Sequence, residues 1–153
     1  MLPHQIIIYG AFIILTVLYI IYRKKIGQEL VMAALISAVW ILMSGLYEYK
    51  EFNIVIANLN LFPFMAWTAG LVILREIYDY TDFAGKFIAV SGIYIVLISV
   101  FEFVGYNFWK IQLNHGYSGF LGLSLMHMPW WGILYYLSIG PVYLLITDYM
   151  EVK

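Results

Sequence analysis

The stretch FIAVSGIYIVLISVFEFVGY, residues 87–106, decides the reading of this chain. It is continuously apolar apart from small hydroxyl residues and one carboxylate, Glu102. About 20 such residues span the hydrocarbon core of a bilayer. An ionisable group inside a span is expensive, and it marks either a functional site or a buried partner.

The rest of the composition agrees. Of 153 residues, 64% are hydrophobic and only 11% charged, and the mean hydropathy is +0.88. A soluble domain carries about 25% charged residues, so this chain lacks the polar surface to cover itself in water. Its length suits one compact integral-membrane unit, residues 1–153. The net charge is −1, and Lys and Arg flank apolar runs instead of forming a stripe, which argues against a nucleic-acid partner. Cysteine is absent, which excludes disulfides, thiolate metal sites and cysteine nucleophiles. The 14 tyrosines suit a protein with two membrane–water interfaces.

Working outward from 87–106, four more apolar runs read as spans, over about 5–22, 30–46, 54–74 and 123–146. The runs are long and unbroken rather than alternating, so helices are expected and not a barrel. The fold class is therefore all-α, a polytopic bundle of five transmembrane helices. The first run is followed by Arg23, Lys24 and Lys25 and not by a small-residue cleavage site, so it is expected to be retained. With the N-terminus outside, Arg23, Lys24, Lys25, Arg75, Lys86 and Lys153 fall inside, against Lys50 and Lys110 outside. This positive-inside bias predicts an N-out, C-in protein of the cell membrane. Pro63 in the third span and Pro141 in the fifth are expected to kink their helices. Pro129 marks a break between a re-entrant piece, 121–127, and the fifth span proper.

The spans place Glu102, Asn58, Asn60 and His127 at similar depth in the outer half, with His115 and Tyr117 in a covering loop. A carboxylate and an imidazole in one low-dielectric pocket can act as acid and base, so Glu102 and His127 are the candidate catalytic residues. Each also has a plainer reading. Glu102 can reach the outer interface and pair with Lys110, and His127 can bond a backbone carbonyl there. Asn58, Asn60, Trp109, Tyr117, Trp130 and Trp131 are candidate substrate-binding residues, though aromatic side chains at this depth also form an ordinary interfacial belt. No Glu-x-x-His motif and no His or Glu pair at helical spacing lies on one span, so no metal site is expected. No phosphate-binding loop or nucleophile elbow occurs, and no cofactor is expected. Glu76, Asp79 and Asp82 suit a solvated helix end better than a magnesium site. Small residues in the second span (Ala33, Ala34, Ser37, Ala38) favour close helix approach, within the chain or towards a partner.

Glu102, Gly105, Tyr117, Leu121-Gly122, Pro129 and Trp131 form a pattern that resembles one in carotenoid-pathway membrane proteins. These are the carotenoid hydratases of the bacterioruberin route and, more distantly, the membrane lycopene cyclases. The chain departs from that pattern in having Trp109 and Lys110 where the family has further glycines. It also has Trp130-Trp131 where the cyclases follow proline with two glutamates. The resemblance implies an isoprenoid substrate and Glu102 as its proton donor. Three functions thus stay open. One is an enzyme acting on an isoprenoid or lipid, and another is a structural subunit or assembly factor of a larger membrane complex. The third is a transporter or channel, for which five spans would need a homo-oligomer to enclose a pore.

Overall fold

A computed structural model describes residues 3–23, 27–46, 48–50, 54–113, 115–123 and 125–151. Lys24, Lys25 and Lys153, half of the predicted inner charge, lie outside the described residues. Five helices carry the fold: α1 (Pro3–Arg23), α2 (Gln28–Ser44), α3 (Leu61–Tyr80), α4 (Lys86–Asn107) and α5 (Trp130–Glu151). By length and composition, Leu61–Tyr80, Lys86–Asn107 and Trp130–Met150 are long and apolar enough to cross a membrane. The apolar stretches of the other two, Tyr9–Tyr22 and Gln28–Ser44, are shorter.

Helix α3 touches α1, α2, α4 and α5, most extensively α2, and so forms the centre of the bundle, with α5 packed on α2, α3 and α4. The buried residues of α5 show how. Ile133, Tyr136, Ile139, Gly140, Tyr143, Leu144 and Thr147 recur at three- and four-residue spacing, giving one apolar stripe along the helix. The inward stripe of α4 is narrow, with Val90, Tyr94 and Gly105 buried. Its other faces present Ile88, Ile93, Val96, Val100 and Phe101 outward. Such a helix suits hydrocarbon as its solvent.

Two element boundaries differ from the sequence reading. The third span was expected to start at residue 54 with Asn58 and Asn60 in its first turns. Instead, β1 (Val55–Ile56) and β2 (Leu59–Asn60) pair as a small antiparallel hairpin. Ala57 and Asn58 turn it, both at positive φ (49° and 66°), the backbone of a two-residue type I′ turn. Asn60 then caps α3, its side-chain oxygen accepting from the Phe62 N–H at 3.1 Å. Pro63 thus falls in the first turn, where a missing N–H costs nothing, and the kink expected there has no cause.

The fifth helix starts at Trp130 and not at 123. The Pro129 carbonyl accepts from the N–H groups of Gly132 (2.9 Å) and Ile133 (3.2 Å), which sets the first turn. Residues 119–123 and 125–128 form tight turns rather than a re-entrant helix, and among these described residues the one helical piece is a short 3-10 turn, Phe120–Gly122. The connection between α4 and α5 is therefore a long loop. It is tied down through Lys50 N–H to the Gln112 carbonyl (3.1 Å) and an isolated bridge between Tyr49 and Leu113.

Candidate functional site

Glu102 sits on the inward side of α4, in line with Val90, Tyr94, Ile98 and Gly105 at four- and three-residue spacing. It is half-buried, and the Tyr136 hydroxyl of α5 donates to its Oε1 at 2.8 Å. The two groups meet because they lie at similar distances from the helix ends that the α4–α5 loop joins. At 1.5 Å per residue, Glu102 lies about 8 Å inside the end of α4 and Tyr136 about 9 Å inside the start of α5.

The tyrosine is itself held on several sides. Its ring is buried and meets Trp67 of α3 edge-to-face, centroids 4.6 Å apart. Its backbone carbonyl accepts from the Tyr94 hydroxyl at 2.6 Å. The Tyr94 ring can approach α5 this closely because residue 140 is glycine. A Cβ there would come within 2.8 Å of three ring carbons of Tyr94. Pro141, next along, has no N–H to offer the Leu137 carbonyl, so α5 is locally short of one backbone bond in this region.

One turn further towards the C-terminal end of α4 on the same face is Tyr106, and His127 of the α4–α5 loop stacks on it. The ring centroids are 3.4 Å apart and the planes 4° from parallel. On the other side of the imidazole lies Gly119, where a Cβ would stand 3.3 Å from Nε2 and would collide with the Leu123 carbonyl. The Nδ1 atom is buried and has no hydrogen-bond partner among the described residues. Burial pulls the imidazole below the usual histidine pKa.

The remaining sequence candidates go elsewhere. Asn58 is the exposed tip of the hairpin, and Asn60 is the α3 cap. Trp131 meets Trp40 of α2 edge-to-face at 6.1 Å, and Trp40 stacks on Tyr135 at 3.5 Å. Trp109 and Trp130 are exposed, as interfacial aromatics would be. Tyr117 stacks on His115 at 6.0 Å in the loop. Glu102 takes its described hydrogen bond from Tyr136 and not from Lys110, which is exposed at positive φ.

Tyr136 and Tyr94 were not singled out from the sequence. With α5 read from residue 123, Tyr136 falls too deep to meet Glu102. Pro129, read in the sequence as a break before the span proper, marks the true helix start, and counting from it instead of from 123 would have found Tyr136.

A second polar cluster lies at the opposite end. Arg75 of α3 is 3% exposed, and its guanidinium donates to Thr147 Oγ1 (3.0 Å) and Asp148 Oδ1 (2.8 Å) of α5. It also pairs with Asp79 at 2.9 Å. The Tyr78 hydroxyl donates to Asp148 Oδ2 at 2.7 Å, and Lys86 Nζ stands 4.2 Å over the Tyr78 ring. These contacts join α3 to α5, so the arrangement reads as a tie between them, with Arg75 Nε buried and without a hydrogen bond among the described residues. Asp79 takes part in it while staying exposed at the end of α3. Among the described residues, no three His, Asp or Glu side chains gather into a metal-binding set. No protein-family model matches the chain, and neither does any curated protein or solved structure.

Proposed function

We propose that this is a five-span protein of the cell membrane, N-out and C-in. In this reading the Glu102–Tyr136 pair is an outer-leaflet acid site for an isoprenoid or other lipid that enters from the bilayer. The observation that carries the reading is the 2.8 Å hydrogen bond from the Tyr136 hydroxyl to a carboxylate otherwise set among apolar residues. Such a carboxyl is a proton store, and the phenol stabilises the anion left when the proton is given up. The step it suits is transfer of the Glu102 proton to a carbon–carbon double bond. The alkene's π electrons form the new C–H bond, leaving a carbocation and the Glu102 carboxylate. Nearby aromatic faces stabilise the cation, which is discharged by loss of a neighbouring proton or by addition of water. The pattern shared with the carotenoid hydratases and cyclases, Glu102 through Trp131, supports the same substrate class.

The topology rests on the distribution of Lys and Arg along the chain. A non-catalytic subunit of a larger membrane assembly, or a second copy of this chain as partner, is the alternative. What favours it is α1, which leans on α3 while Ile13, Ile14, Leu15 and Leu18 stay exposed. Native mass spectrometry of the detergent-purified protein, with extraction of bound lipid, tests the choice. A co-purifying isoprenoid or lipid that is lost in Glu102→Gln is the expected result. Retention of the same lipid by that variant, or a chain that appears only with other subunits, would overturn the catalytic reading.

A further inference from the structure

An acid site inside a membrane must be recharged with protons, and the geometry restricts the side from which they come. Inward of Glu102, the seam between α4 and α5 is filled by Tyr94, whose ring lies against the backbone at Gly140 with no space for a Cβ. The Tyr94 proton is engaged by the Tyr136 carbonyl at 2.6 Å, an acceptor that cannot pass a proton on through its ring to the hydroxyl. Trp67 closes the α3 side of Tyr136. Outward, the next group on the Glu102 face is Tyr106, with a single imidazole laid flat on it.

We propose that Glu102 exchanges its proton with the outer face alone, through a door formed by His127 stacked on Tyr106. In the same proposal, Tyr94 seated on Gly140 closes the inward route. The inference rests on the reading of α4 as a span with its Asn107 end outside.

The door responds to acid because a charged ring is disfavoured where this one lies, with Nδ1 buried and unpartnered among the described residues. Of the other titratable groups around the outer end, Lys110 and His115 are exposed, His115 stacks on Tyr117, and the Lys50 ammonium donates to Gln112 Oε1 at 3.2 Å. Glu102 lies one turn below Tyr106 and donates its own charge to the balance only when ionised. The imidazole is partly exposed, but its Nδ1 is buried, so an imidazolium here loses hydration at that atom without gaining a described partner. Protonation therefore favours leaving the stack, and an acid exterior opens the way when protons are abundant there.

The test follows the carboxyl stretching band of Glu102 by infrared difference spectroscopy after an acid jump outside sealed vesicles, the interior being buffered. The band is assigned by its loss in Glu102→Gln. In right-side-out vesicles the band is expected to respond at once, and in inside-out vesicles at least about tenfold more slowly. His127→Phe keeps a ring on Tyr106 but removes the titratable nitrogens, and it is expected to slow the right-side-out response by a similar factor. Equal responses in the two vesicle orientations of the unsubstituted protein would overturn the proposal without need of any variant. So would a His127→Phe response as fast as that of the unsubstituted protein. Lipid retention by Glu102→Gln would remove the catalytic reading and leave the sidedness result intact, so the two failures are distinguishable.

Discussion

Glu102 is the residue on which the account turns, and it was legible because one charge in an apolar run has few innocent explanations. Its partner was not legible. Which tyrosine reaches it depends on where α5 begins, and a seven-residue error in that start moves Tyr136 by about 10 Å along the membrane normal. If Glu102 supplies a proton in the reaction, Glu102→Gln lowers the rate by about 10²–10⁴-fold. Tyr136→Phe keeps the ring against Trp67 but removes the bond to the carboxylate, with a smaller loss of about tenfold. A Tyr136→Phe variant as inactive as Glu102→Gln would mean that the phenol, not the carboxyl, is the acid.

His127 gives a second prediction at the same scale. Its folded-state pKa is lowered, so between that value and the usual one near 6.5 the unfolded chain binds more protons than the folded one. Stability therefore rises with pH through that window, is fully present above about 6.5, and is progressively lost as the pH falls below it. His127→Phe should flatten this part of the profile, which thermal unfolding in detergent across pH 5–8 would measure.

At the scale of elements, composition and periodicity located all five helices, because long apolar runs bounded by charges leave little room for another reading. The ends were harder. The hairpin 55–60 is apolar enough to pass for the start of a span, and only the positive φ at Ala57 and Asn58 ends that possibility. Positive φ at alanine is uncommon and leaves no compositional sign. The packing of α4 on α5 yields a sharper test than its boundaries do. Gly140→Ala puts a methyl group into the Tyr94 ring and should destabilise the protein by about 1–3 kcal/mol, as overpacking does. Gly92→Ala, on α4 with open space at the Cβ position, should be neutral or slightly stabilising, since alanine has the better helix propensity by about 0.5–1 kcal/mol. Unfolding of both variants in the same detergent checks the pair, and equal costs would contradict the described fit.

For the whole molecule, the two ends of the bundle do different things. One end holds the Glu102–Tyr136 pair near the α4–α5 loop, and the other holds Arg75 between Asp79, Thr147 and Asp148, tying α3 to α5. Arg75 was read from the sequence only as a topology signal, because a basic residue beside an apolar run looks the same whether it faces water or a carboxylate on another helix. Removing one partner of a buried pair costs about 3–5 kcal/mol. Asp79 and Asp148 are about a third exposed, so Arg75→Ala should fall at the low end of that range, with activity at the outer end retained in the fraction that folds. The absence of native cysteine makes the overall arrangement open to direct labelling. Ser118→Cys in the outer loop and Asp82→Cys in the α3–α4 turn, each alone, would be exposed to a membrane-impermeant maleimide in right-side-out vesicles. The account predicts that position 118 is labelled in intact vesicles and position 82 only after permeabilisation. Labelling of both positions from the same side would contradict it, because α4 would then not cross the membrane and Glu102 would not lie within a span.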